Sequence, residues 1–189
     1  MVKSIQSGEA APDFSFKAAD GTTQNLSDYR GRKVLLAFFR NAACALCNLR
    51  IQNFIMRYED WRRQGLDIIA VFESPEVNLR DHVGQQQAPF LLVADPEGVF
   101  YSLYGVEVSE EKVKATIADP HTHSIVAEAA AAGFQLQKEE GSNFNRIPAE
   151  FLINENGSVW LAHYGRLVTD HLPFDQIEHF ARKGAGESV

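Results

Sequence analysis

The 189-residue chain predicts an α/β fold, a central sheet flanked by helices, and three observations carry that prediction. Apolar runs at 34–39, 66–72 (broken only by Asp67) and 90–94, each edged by turn formers, read as strands buried on both faces. Helical signals lie between them, and strand–helix–strand–helix–strand in this rhythm implies βαβ units around a parallel core. Near the C-terminal end, 149–153 and 158–164 flank the turn Asn154-Glu155-Asn156-Gly157 as a hairpin, which makes the sheet mixed.

In chain order, Pro12 to Asn25 reads as a β-hairpin, with Phe14 and Phe16 alternating with polar residues and Asp20-Gly21 as its turn. Residues 26–29 form one short helical turn before Gly31. After the strand at 34–39, Cys47, Ile51, Phe54, Ile55, Tyr58 and Trp61 recur at helical spacing until Gln64-Gly65, a glycine stop. The strand at 66–72 leads to Ser74-Pro75-Glu76, which predicts Ser74 as N-cap, Pro75 as first helical residue and a helix to about Gln87. The strand at 90–94 closes on Asp95-Pro96-Glu97-Gly98, and a short helix follows over 99–104. Residues 105–145 are an elaboration, with helices at 109–117 and 124–132 and an exposed polar loop at 135–143. This elaboration covers a sheet edge, shapes a substrate mouth or makes a subunit contact. Pro173 opens a last helix that ends at Gly184.

Cys44 and Cys47, the only cysteines, stand where the first strand turns into its helix. The first N–H groups of a helix lack internal partners and carry partial positive charge. A thiol held there ionises more easily, its pKa dropping from about 8.5 into the range of about 3.5–7.5. The i, i+3 spacing places both sulfurs on one face within reach of a disulfide, and Arg40 and Arg50 add positive charge. Two other readings stand beside a redox pair: small buried hydrophobes, or a metal site completed by His121 and His123. His-x-His matches no common zinc spacing, and the strand–Cys-x-x-Cys–helix context favours the redox pair.

Length predicts one domain, 1–189, large enough to bury about 70% of its unfolded surface without a staple. A net charge of −7 with scattered basic residues argues against nucleic-acid binding. The N-terminus has no apolar core of a signal peptide, and no stretch approaches the roughly 18 apolar residues of a membrane span. A cytoplasmic location is the expectation, with any disulfide transient or catalytic. No cofactor is expected.

Ala11-Pro12-Asp13-Phe14, Phe38-Phe39-Arg40-(x)3-Cys44-x-x-Cys47 and Pro148 to Asn154 together resemble the thioredoxin fold, and within it the peroxiredoxin (alkyl hydroperoxide reductase/thiol-specific antioxidant) family. The resemblance spans nearly the whole chain. Family members carry Pro-(x)3-Thr-(x)2-Cys, which lays Cys47 on the peroxidatic cysteine, Cys44 on the threonine and Arg40 on the proline. The family's second arginine matches nothing directly; Arg146 lies nearest, two residues before Pro148. Ile147-Pro148 resembles the cis-proline that thioredoxins set against their cysteines, where Cys44 would match the attacking thiol.

The resemblance implies a thiol peroxidase: Cys47 attacks a hydroperoxide, Cys44 resolves the sulfenic acid as a disulfide, and a thioredoxin-like or low-molecular-weight thiol reduces it. Arg40 or Arg146 would stabilise the anion, with Phe39 and Pro148 at the substrate. It also implies two alternatives, a thiol–disulfide oxidoreductase with Cys44 attacking and a redox-inert or metal-binding interaction protein. A homodimer is expected by resemblance alone, and no nucleic acid or membrane partner.

Overall fold

The computed structural model describes residues 4–18 and 21–183. The N-terminal hairpin pairs β1 (Ser15–Lys17) with β2 (Thr23–Asn25), and a 3-10 turn, Leu26–Tyr29, follows. Asp20 of the expected turn lies outside the described residues; Gly21 sits at φ +81°, a conformation that favours glycine. Next come β3 (Lys33–Phe38), α1 (Ala45–Arg63), β4 (Leu66–Phe72) and α2 (Glu76–Asp81). Then follow β5 (Leu91–Ala94), α3 (Val99–Leu103), α4 (Glu110–Ala118) and α5 (Pro120–Ala131). The hairpin β6 (Ala149–Ile153) and β7 (Val159–Tyr164) precedes α6 (Phe174–Arg182).

The larger sheet has the order β5-β4-β3-β6-β7, with β3, β4 and β5 parallel and the β6–β7 pair antiparallel. The α/β class and mixed sheet therefore stand as expected, and this is the thioredoxin fold. From Val34 onward β3 is apolar because it feeds two cores. Leu35 and Ala37, with Phe39 beyond the strand, pack toward α1, against Ile51, Phe54 and Trp61. Val34, Leu36 and Phe38 point the other way, against Phe14, Tyr101, Tyr104 and Phe151. Side chains alternate across a strand, so one unbroken apolar run serves both layers.

Three boundaries move, each for a local reason. α2 ends at Asp81 rather than Gln87, because His82 leaves helical geometry at φ −118°, ψ −96°, and a 3-10 turn, Val83–Gln86, follows. There Gly84 lies so close to the Leu79 carbonyl that a Cβ would come within 2.7 Å of its oxygen. α5 begins at Pro120, four residues before the alanine-rich stretch: Asp119 caps it by accepting from the His121 N–H, and the proline occupies the first turn. Ser74 is not the N-cap of α2; Pro75 is, and the Ser74 hydroxyl accepts the Ala42 N–H instead. The final stop at Gly184 lies outside the described residues.

Candidate active site

β3 delivers the chain to a tight turn, residues 39–44, whose shape is over-determined. Phe39 is fully buried, stacked on Phe72 at 4.9 Å, and its carbonyl accepts from the Tyr101 hydroxyl at 2.6 Å. Cys44 then serves as N-cap of α1 in an extended conformation (φ −65°, ψ 115°), its Sγ accepting the Cys47 N–H at 3.3 Å. The sulfur thus does what a serine or aspartate oxygen ordinarily does at a helix start. Both thiols are free and buried, Cys44 at 7% exposure and Cys47 at 3%.

The two sulfurs are electrostatically unlike. The Cys47 thiol, hydrogen-bonded to Cys44, does most to bring the Cys44 pKa down to about 6. Burial opposes this; the Arg40 charge and the N–H groups of Cys47 and Leu46 assist it. Cys47 is pushed well above the ordinary thiol range, first by burial and then by its hydrogen bond to Cys44 and the Cys44 charge. A negative sulfur at Cys44 is what a helix N-terminus favours.

Cys44 lines a cleft of about 410 Å³ together with Arg40 and Asn41. Its other wall is the elaboration: Val113 and Ile117 from α4, Val126 from α5, and Leu136 and Phe144 from the loop beyond. Ile117, Leu136 and Phe144 are exposed large apolar side chains, so the mouth carries an apolar rim. Residues of the elaboration thus line this mouth.

The loop at 135–143 is exposed over most of its length, as its polarity suggested, but Glu139 and Ser142 turn inward. Glu139 is 6% exposed; its carboxylate accepts from the Ala43 N–H at 3.2 Å and from Asn78 Nδ2 at 2.8 Å. Asn41 Nδ2 donates to Ser142 Oγ at 3.3 Å, and Arg40 donates to the Phe144 carbonyl while its guanidinium lies 4.7 Å from that ring's centre. Residues 139–144 therefore form a strap fastened to Arg40, Asn41 and Ala43, just before the first cysteine.

Of the residues singled out by sequence, Arg40, Cys44 and Cys47 come together here. Arg146 does not join them: it is buried in a two-pronged ion pair with Glu73 (2.7 and 2.8 Å), donates to the Val106 carbonyl and lies over the Tyr101 ring. Phe39 supports the turn from the core rather than lining the cleft. Pro148 is buried, and its bond to Ile147 is trans, so the expected likeness to a thioredoxin cis-proline does not hold. His121 and His123 sit exposed on α5. Arg50, expected to lend the cysteines positive charge, makes a bidentate pair with Glu150 of β6 (3.0 and 2.8 Å), which also accepts from His171 Nδ1 and the Leu172 N–H.

A strand–turn–helix that caps itself with a cysteine, inside a mixed five-stranded sheet, defines a thioredoxin-fold thiol protein. The chain belongs to the AhpC/TSA family, whose model matches residues 7–161. A Mycobacterium tuberculosis protein named as a peroxiredoxin is 22% identical over 165 residues, 87% of this chain and 88% of the relative. The thiol-disulfide oxidoreductase ResA of Geobacillus thermodenitrificans is 30% identical over 100 residues, 52% of this chain and 57% of its own length. Among solved structures, the peroxidoxin BcpB of Mycobacterium tuberculosis superposes with a TM-score of 0.67 at 14% identity, covering 94% of this chain and 97% of that one. Among the described residues no helix is long and apolar enough to cross a membrane.

Proposed function

We propose that the chain is a single-domain, thiol-dependent peroxide reductase whose reaction runs through the Cys44–Cys47 pair. Family membership supports the reaction class; the observation that carries the site is Cys44 Sγ, capped by the Cys47 N–H and facing the cleft. A thiolate sulfur attacks the terminal peroxide oxygen, the O–O bond breaks, and the departing alkoxide or hydroxide takes a proton to leave as alcohol or water. The sulfur, oxidised by two electrons to a sulfenic acid, condenses with the second thiol to a disulfide, releasing water. A dithiol or low-molecular-weight thiol reduces that disulfide. The family pattern gives the attack to Cys47, while the geometry of the reduced pair favours Cys44 as attacking thiolate and Cys47 as the protonated, resolving partner. Arg40 beside Cys44 supports the charge shed onto the leaving oxygen.

The test is rapid mixing of reduced protein with hydrogen peroxide, read with thiol counts. Near-stoichiometric consumption and loss of both thiols is expected. Cys44→Ser is expected to abolish consumption, while Cys47→Ser turns over once and leaves a sulfenic acid on Cys44. Reactivity kept in Cys44→Ser and lost in Cys47→Ser would restore the family order, and no reactivity in the unmodified protein would overturn the function.

A second reading, thiol–disulfide exchange with Cys44 as attacking thiol, is favoured by the same N-cap geometry. A mixed disulfide trapped through Cys44 in Cys47→Ser, without peroxide consumption by the unmodified protein, would select it. Cytoplasmic location and a homodimer complete the proposal; fractionation of the source cells and light scattering of the purified chain test them.

A further inference from the structure

Ala42, two residues before the first cysteine, has both backbone polar groups held by side chains from other elements. Its N–H donates to Ser74 Oγ at 2.9 Å, and its carbonyl accepts from Asn48 Nδ2 at 2.8 Å. The same Asn48 nitrogen donates to the Cys44 carbonyl at 3.0 Å, beside the helical bond from the Asn48 backbone N–H at 2.9 Å. At the far end of this carboxamide, Oδ1 accepts from Gln86 Nε2 at 2.8 Å, which fixes which end of the amide faces the turn. Asn48 is 6% exposed, inside α1, where asparagine is a mediocre helix former. Its placement calls for a local reason.

We infer that Asn48 is a positioning residue for the thiol chemistry: its carboxamide sets the turn of residues 41–44 so that Cys44 Sγ meets the Cys47 N–H, and Gln86 holds that carboxamide in place. Only an amide does this. It donates to two carbonyls and accepts from a third group, whereas aspartate has no donor to offer and leucine neither function. Without it, Ala42 and Cys44 lose the bridge that holds one carbonyl against the next, and the extended N-cap conformation (φ −65°, ψ 115°) loses a support. The carboxamide acts on the thiol through the backbone, by way of the Ala42 and Cys44 carbonyls. The charged and titratable groups facing Cys44 are Arg40 and Cys47, and Lys138 and Glu139 line the same cleft. This inference rests on Cys44 being the resting thiolate.

The test is alkylation of the reduced, full-length protein by iodoacetamide across pH, with modification at Cys44 counted by peptide mass spectrometry. Asn48→Leu is expected to move the Cys44 midpoint upward by about one pH unit, a roughly tenfold slower reaction at acidic pH. Gln86→Leu is expected to move it the same way by less. A folded Asn48→Leu protein with the unmodified profile would overturn the inference; should Asn48→Leu fail to fold, an unmodified profile in Gln86→Leu does so. A midpoint near the free-thiol value in the unmodified protein sinks the thiolate reading instead, while the difference between it and Asn48→Leu still decides the role of Asn48.

Discussion

Cys44 Sγ takes the backbone N–H of Cys47 at 3.3 Å, so the two cysteines of one helical turn are not interchangeable. One is the acceptor that starts the helix; the other supplies a donor and stays inside it. In the proposed reaction, anion and proton thereby start on two atoms that later become one bond, which is the asymmetry a two-step thiol reaction uses.

This asymmetry fixes a pH dependence. Peroxide consumption is expected to rise with pH through about 6, the Cys44 value, and then level off. Stability follows the same group. The folded pKa lies below the unfolded value of about 8.5, so in that interval the unfolded chain binds more protons. Stability should increase from about pH 6 to about 8.5, and this contribution is lost as pH falls through 6. Cys47, raised by burial, acts oppositely above the ordinary thiol range. Urea denaturation of the unmodified protein and of Cys44→Ser at pH 6 and 8 checks the sign; the variant's stability should change less between the two.

Arg40 joins this charge to the strap. Its guanidinium lowers the Cys44 pKa while donating to the Phe144 carbonyl. Arg40→Met is expected to raise the Cys44 alkylation midpoint and slow peroxide consumption by about tenfold or more, since a donor aimed at developing charge contributes roughly 10²–10³ in well-built sites. An unaltered midpoint with unaltered rate would show that the Cys47 thiol and the helix terminus hold the anion without Arg40.

Glu139 gives the strap a separable role. Replacing it with alanine leaves the buried Ala43 N–H without its acceptor and releases the half-buried Asn78 amide, and an unpaired buried group costs about 1–3 kcal/mol. Glu139→Ala is therefore expected to lower stability by about 2 kcal/mol and to speed alkylation of Cys44 by bulky maleimides more than by iodoacetamide. Equal acceleration of both reagents would mean that the strap does not limit access.

The sheet, the first helix and the thiol pair were legible because each leaves a local mark: an unbroken apolar run, a helical period, a Cys-x-x-Cys at their junction. The strap was not. Glu139 lies in a polar run with the composition of a solvated loop, and its partners are 96 and 61 residues away. Asn48 and Arg50 were hidden for the same reason, polar side chains on a helix whose partners come from other elements. Arg146 shows the converse, an arginine near a family position whose charge the structure has already committed to Glu73. Pro148 matched a motif in order but not in peptide geometry.

The buried pair Arg50–Glu150 ties the redox helix to β6, and its removal is the harshest change expected. Glu150 is 1% exposed; burial acts to raise its pKa, but the Arg50 charge and then His171 hold it far below the ordinary carboxylate range. A folded pKa below the unfolded one stabilises the protein fully above about pH 4–5, and that contribution drains away only in strong acid. Truncating one partner strands the other charge in the core. Arg50→Ala is therefore expected to destabilise by about 3–5 kcal/mol, whereas a double exchange of Arg50→Met with Glu150→Gln, which leaves no buried carboxylate, should recover part of that loss. Chemical denaturation at pH 7 measures both. Because Arg50 stands in the second turn of the helix that Cys44 caps, the single variant should also loosen the thiol pair, and its alkylation profile distinguishes a local loss of fit from a global loss of stability.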